Sequence, residues 1–165
     1  KADRAFYCGA DKITLNSAFF TNPEIASDIA NKYGSQAVVL SIDIRKENNN
    51  YKIYQKNATE PVENFKLEEA IKLAKDMGVG EFLINDIFND GLMTGFDLQY
   101  IEDLRKKIDL PLIVAGGCSS IKDFEDAFKL GVDAVAAGSI FHWIGESIIG
   151  IKENLYEKNI NVRML

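Results

Sequence analysis

This chain has few of the groups that announce metal, thiol or nucleic-acid chemistry. Its two cysteines, Cys8 and Cys118, lie far apart and form no CxxC pair. That excludes a disulfide framework and a thiolate metal site, and makes a reduced, cytoplasmic setting the default. There is one histidine, His142, among aromatics in Phe141-His142-Trp143. A packed or capping role is expected for it, and neither a metal nor a cofactor is expected. No run of Lys or Arg is present to follow a phosphate backbone, and the net charge of −6 argues against a nucleic-acid partner. The longest apolar runs are strand-sized, so no membrane-spanning helix is predicted. No signal-peptide pattern is visible. Low-complexity stretches and linkers are also missing, which points to one domain or part of one.

What remains is an ordinary packed protein of 165 residues, 47% hydrophobic and 27% charged. It carries a faint copy of itself. Residues 5–19 align with residues 127–141 at an offset of 122 positions, with Ala, Phe, Gly, Asp, Ser and Phe identical. Each copy reads as a helix end, a Gly stop, a short strand and a small polar turn. Twice the offset is about 244 residues, close to the length of an eight-unit β/α barrel, so the copies would sit on opposite sides of one.

Strand-like runs span Lys12–Asn16, Gln36–Asp43, Glu81–Asn85, Pro111–Gly116 and Ala134–Ser139. They are nearly continuous in apolar residues, as strands covered on both faces must be. Helical periods lie between them: Pro23–Tyr33 with Asn22 as N-cap, Leu67–Met77, Leu98–Lys107, Ile121–Leu130 after Ser120, and about Gly145–Lys158. The alternation predicts an α/β fold with a parallel sheet. One long interval, after Asp43, contains Tyr51-Lys52-Ile53-Tyr54-Gln55, an alternating run that predicts a small extra strand or hairpin over the sheet mouth. Residue 1 is Lys, next to a helical period over Ala2–Tyr7, so the chain reads as starting mid-element.

In parallel α/β folds, sites form at the carboxyl ends of strands. Gly116-Gly117 and Gly138-Ser139 end the last two strands and read either as anion cradles or as tight turns that no side chain fits. Asp43 ends an apolar strand. It is a candidate general acid or base, or else a cap or ion-pair partner of Arg45 or Lys46. Asp90 precedes Gly91 in a turn, where Asp is already favoured. Cys118 has no visible base partner, so no thiol nucleophile is proposed.

Together these strand ends resemble the histidine-biosynthesis barrel family, and within it the cyclase subunits of imidazole glycerol phosphate synthase. The matching segments are Gly9-Ala10-Asp11-Lys12-Ile13, residues 34–39 through Ile42-Asp43, Gly80-Glu81-Phe82-Leu83, and Asp90-Gly91 with Gly95. Further matches are residues 113–117, residues 136–142 and Asn161-Val162-Arg163. The resemblance implies a (β/α)8 TIM barrel, of which strands four to eight are present. Residues 1–165 would be the C-terminal part of one barrel domain, with strands one to three absent from this chain.

The resemblance further implies an enzyme, a lyase working with a glutaminase partner subunit. Ammonia from that partner combines with a phosphoribulosyl aminoimidazole-carboxamide nucleotide, giving imidazole glycerol phosphate and aminoimidazole carboxamide ribotide in histidine biosynthesis. Asp43 would be one of two acid/base aspartates, the other lying at the end of strand one. One substrate phosphate would be held by Gly91, Gly117 and Gly138-Ser139, with Gly116 beside them, and the other by Asn16 and Ser17. Asp90 would contact substrate. Lys12 and Glu81 would be two of four charged residues gating ammonia entry.

The chain departs from the typical pattern at Asn85 (usually Thr), Phe88 (Asp), Leu92 (Thr) and Ala115 (Ser), and Asn57-Ala58-Thr59 lacks a usual Ser-Gly. Each change is expected to remove a polar contact near the mouth. A paralogous group uses glutaminase-derived ammonia to amidate nucleotide-linked sugars of surface polysaccharide, and the chain fits that group as well. A non-catalytic half-barrel is the third reading.

Overall fold

The computed structural model describes residues 1–48 and 50–164. The chain opens with helix α1 (Ala2–Tyr7), strand β1 (Ile13–Leu15) and helices α2 (Ser17–Thr21) and α3 (Glu24–Tyr33). A 3-10 turn at Ser35–Ala37 leads into β2 (Val38–Glu47), which folds back through β3 (Asn50–Gln55) and β4 (Glu60–Pro61). Then come α4 (Leu67–Asp76), β5 (Glu81–Asp86), α5 (Leu98–Lys107), β6 (Leu112–Ala115), α6 (Ile121–Lys129), β7 (Ala134–Ala136), α7 (Ser139–Trp143) and α8 (Ile148–Glu157).

Strands β1, β2, β5, β6 and β7 lie side by side in chain order, all parallel. This is the sequential winding of a β/α barrel, here as part of one. Among the described residues β1 pairs only with β2, and β7 only with β6.

Side chains alternate across the sheet. Val38, Leu40, Ile42 and Ile44 of β2, with Phe82 and Ile84 of β5 and Leu112 and Val114 of β6, are buried in one cluster with residues of α3, α4 and α5. The opposite set is covered less: Ser41, Asp43, Glu81, Leu83, Asn85, Ile113 and Ala115 are all half-buried. One face of the sheet is therefore a finished core. The other carries Ser41, Asp43, Glu81 and Asn85 and is left less covered.

Several boundaries differ from the sequence reading. Helix α3 begins at Glu24, with Pro23 in the cap position; Asn22 still helps, its Oδ1 accepting from the Glu24 amide at 3.3 Å. Strand β2 runs four residues past Asp43 because β3 pairs against that extension, Asp43 opposite Tyr54 and Glu47 opposite Asn50. The charged extension is fixed by tertiary bonds: Lys46 Nζ to Asp97 Oδ2 at 2.8 Å, and Tyr54 to Glu47. Strand β7 stops at Ala136, and Ser139 starts a helix instead of ending a strand.

The internal repeat is structural. Helices α2 and α7 are each five residues long, and their starts, Ser17 and Ser139, stand 122 positions apart, the offset found in the sequence. Each follows a three-residue strand. Each strand follows a glycine with positive φ, Gly9 at 96° and Gly131 at 86°.

Candidate active site

At the carboxyl end of the sheet, register sets the site. Asp43 lies beside Asn85, and Asn85 beside Ala115, which in turn neighbours Ala136. The Asp43 carboxylate is held from both sides. Asn16 Nδ2 donates to Oδ2 at 3.2 Å, and Asn85 Nδ2 donates to Oδ1 at 3.3 Å. Asn16 is fixed in turn by a bond to the Ser41 carbonyl at 3.2 Å. Asp43 is thus neither a helix cap nor an ion-pair partner. Lys46 goes to Asp97, and the Arg45 guanidinium lies over the Phe88 ring, 5.8 Å from its centroid. Two neutral carboxamides thus fix the orientation of the acid. Asn85 therefore supplies a polar contact at the mouth where the sequence reading expected a loss.

Beside Asn85 opens a cavity of about 290 Å³. Leu83 and Asn85 of β5 line it, with Asp90 and Gly91 of the following loop, Ala115 to Cys118 at the end of β6, and Ala136 to Ser139 after β7. It brings together the sequence candidates Asp90, Gly91, Gly116, Gly117, Gly138 and Ser139. Asn16 and Ser17 lie on the far side of Asp43. They occupy the positions equivalent to Gly138 and Ser139 in the repeat, so the two candidate phosphate sites are repeat-related and flank the acid. Ser17 Oγ accepts from the Lys56 amide at 2.8 Å, which ties the tip of the β3–β4 turn to this rim.

The glycines at the cavity are not equivalent. Gly116 has φ of +89°, and a Cβ there would stand 2.3 Å from the Asp86 carbonyl oxygen. At Gly117, with φ of +103°, it would stand 2.6 Å from the Gly95 carbonyl. Both are required by the close approach of the β5–α5 loop, so the tight-turn reading holds for this pair whether or not an anion binds. Gly138 has φ of −127° and an added Cβ would meet nothing within 4 Å. Neither backbone nor packing demands glycine there.

The β5–α5 loop is organised by Asp86, the last residue of β5. Asp86 is buried, its Oδ1 accepting from the Phe88 amide at 3.1 Å and its Oδ2 from Asn89 Nδ2 at 2.7 Å. An Asp bonding the amide two residues on is a recognisable turn signal.

Cys118 is buried in the cavity wall. Burial pushes its thiol up to about 12, and the nearby Asp123 charge adds to this, so it stays protonated. His142 is exposed in the last turn of α7 and is not packed as expected. Among the described residues, no three His, Cys, Asp or Glu side chains gather as a metal site would require.

At the opposite end of the sheet, Lys12 Nζ bonds the Glu81 carboxylate. The Lys12 side chain is 49% exposed against 12% for Glu81, so only the acid of the pair is well covered. Glu81 and Asn85 share one face of β5, about 13 Å apart at ~3.3 Å per residue. The ion pair and the Asp43 rim lie at opposite ends of this face of the sheet.

The chain matches, over residues 1–144, a family model described as histidine biosynthesis protein. It is 38% identical over 165 residues to the imidazole glycerol phosphate synthase subunit HisF of Chlorobium phaeovibrioides, covering 99% of this chain and 65% of the relative. The subunit of the same name from Dictyoglomus thermophilum is 38% identical over 157 residues, covering 94% and 62%. That from Alkaliphilus metalliredigens is 35% identical over 157 residues, with the same coverage. The chain thus spans less than two thirds of the length of these curated relatives.

Proposed function

Since this chain belongs to the histidine biosynthesis protein family, we propose that it is the C-terminal five β/α units of a cyclase subunit of imidazole glycerol phosphate synthase. The missing units pair with the free sides of β1 and β7 and close the barrel. The substrate is the phosphoribulosyl aminoimidazole-carboxamide nucleotide. Its products with ammonia are imidazole glycerol phosphate and aminoimidazole carboxamide ribotide, and the setting is cytoplasmic.

In this reading Asp43 moves protons between substrate and the incoming nitrogen. One phosphate sits in the Gly91, Gly117, Gly138 and Ser139 cavity and the other beside Asn16 and Ser17, one on each side of Asp43. Asp90 contacts the substrate from the cavity wall. A glutaminase partner docks at the Lys12–Glu81 end and delivers ammonia, which passes Ser41 and Leu83 to reach Asp43. A neutral molecule crosses such a passage at far less cost than an ion would. The observation that carries the reading is the Asn16–Asp43–Asn85 bridge. It supports an oriented acid lying between the two repeat-related positions that a doubly phosphorylated substrate would span.

A second reading has one specific observation in its favour. Phe88 and Leu92, 52% and 58% exposed beside the mouth, stand where the typical cyclase carries Asp and Thr, a departure that favours another ammonia acceptor such as a nucleotide-linked sugar. Turnover decides between them. Full-length protein given the phosphoribulosyl nucleotide and an ammonium salt should form imidazole glycerol phosphate. No turnover, together with amidation of a nucleotide sugar, contradicts the cyclase.

A further inference from the structure

Strand alternation puts Arg45 on the same face as Asp43, one pleat farther toward the mouth. Its guanidinium has no carboxylate partner among the described residues. It lies instead 5.8 Å from the centroid of the Phe88 ring. Phe88 belongs to the loop that also sends Asp90 and Gly91 into the cavity wall, and its ring is half exposed despite being large and apolar. The Asp86 carboxylate fixes that loop by accepting from the Phe88 amide at 3.1 Å and the Asn89 amide at 3.4 Å. The ring therefore stands on a turn whose backbone is tied by hydrogen bonds. The hairpin carrying Arg45 is equally anchored, through Lys46 and Tyr51 to Asp97, at 2.8 and 2.7 Å. An exposed aromatic on this turn, a guanidinium with no carboxylate partner among the described residues, and a cavity lined by the same loop make a surface with two chemistries. The ring offers a stacking plane, and the cation favours an electron-rich or anionic group beside it.

We propose that Arg45 and Phe88 form a specificity subsite at the mouth that takes the planar heterocycle of a nucleotide whose phosphate lies in the neighbouring cavity. The heterocycle stacks on Phe88, and Arg45 covers its polar edge. This rests on the reading above that the cavity holds a substrate phosphate, and adds which part of the substrate the mouth reads.

The test uses full-length protein and two probes that share a sugar phosphate and differ in the ring: aminoimidazole carboxamide ribotide and ribose 5-phosphate. Calorimetric titration should show the ribotide binding about tenfold tighter, the scale of one base–aromatic stack. Phe88→Ala should remove that advantage while leaving ribose 5-phosphate affinity in place, and Phe88→Tyr should restore it. Arg45→Ala should weaken the ribotide more than ribose 5-phosphate. Equal affinity of the wild-type protein for the two probes, or an unchanged preference in Phe88→Ala, overturns the subsite while the phosphate cavity stands. Failure of both probes to bind overturns the subsite and the cavity assignment together.

Discussion

Two glycines in one cavity wall should behave oppositely when given a methyl group. At Gly116 the new Cβ would sit 2.3 Å from the Asp86 carbonyl oxygen, with φ at +89°. The left-handed backbone costs a non-glycine residue about 1–2 kcal/mol, and forcing an atom into packed space adds about 1–3. Gly116→Ala should therefore destabilise by about 3 kcal/mol. At Gly138 the φ is −127° and the Cβ meets no atom within 4 Å, so Gly138→Ala should cost less than about 1 kcal/mol, mostly through the start of α7. The space that this methyl fills is the cavity itself, so Gly138→Ala should instead weaken binding of the phosphorylated substrate about tenfold or more. Urea unfolding of both full-length variants measures the first contrast, and titration with substrate the second. Equal unfolding midpoints would refute the loop contact argued for Gly116. Unchanged binding by a stable Gly138→Ala protein would refute the cradle.

Two further predictions concern charge. Lys12→Met removes the cation that pairs with Glu81 at the strand-start end of the sheet, where the proposed glutaminase partner would dock. Glutamine-driven turnover with the glutaminase partner should fall by at least about an order of magnitude more than ammonium-driven turnover, the gap expected if transfer is lost and acid–base chemistry is kept; parallel losses count against the gate. On the outside, bonds from Lys129 and then Lys158 hold the Glu125 carboxyl down to about 2, which ties α6 to α8. The folded state binds this proton less readily than the unfolded chain, so the stabilisation is complete above the ordinary carboxylate value of 4.5 and fades as pH falls toward 2. Glu125→Gln should flatten the acid limb of a stability–pH profile over that window and leave neutral-pH activity alone; an unchanged acid limb would show that the pairing is unimportant.

The parallel strands could be read from the chain because a sheet covered by helices must be apolar, and Val38 to Ile42 or Leu112 to Ala115 have few other uses. The repeat was legible for the same reason: a helix stop, a strand and a small polar turn recur at 122 positions because the same unit is built twice. Much less could be read where tertiary contacts decide. The charged run Arg45-Lys46-Glu47 has little strand character, yet it is strand because Asp97, Tyr54 and β3 receive it. Helices α2 and α7 are too short for a period to show.

At the site, Asp43 stood out as an acid ending an apolar run. Its holder Asn85 did not, because only the β2–β5 register reveals that the two are neighbours. Gly116-Gly117 reads from sequence as an anion cradle or a tight turn. Its backbone is in fact demanded by the neighbouring loop, while Gly138, the less conspicuous glycine, has no such structural reason to be there.

The central claim is that Asp43 is the acid/base of this rim, and Asp43→Asn tests it most directly. The substitution keeps the side chain's shape and exchanges one acceptor oxygen for a donor, at about 1 kcal/mol of stability for one lost hydrogen bond. Rates of full-length wild-type and variant protein on the phosphoribulosyl nucleotide with ammonium salt should differ by a factor of about 10²–10⁴, with both proteins folded. A folded variant working at close to the normal rate would mean that another group moves the proton.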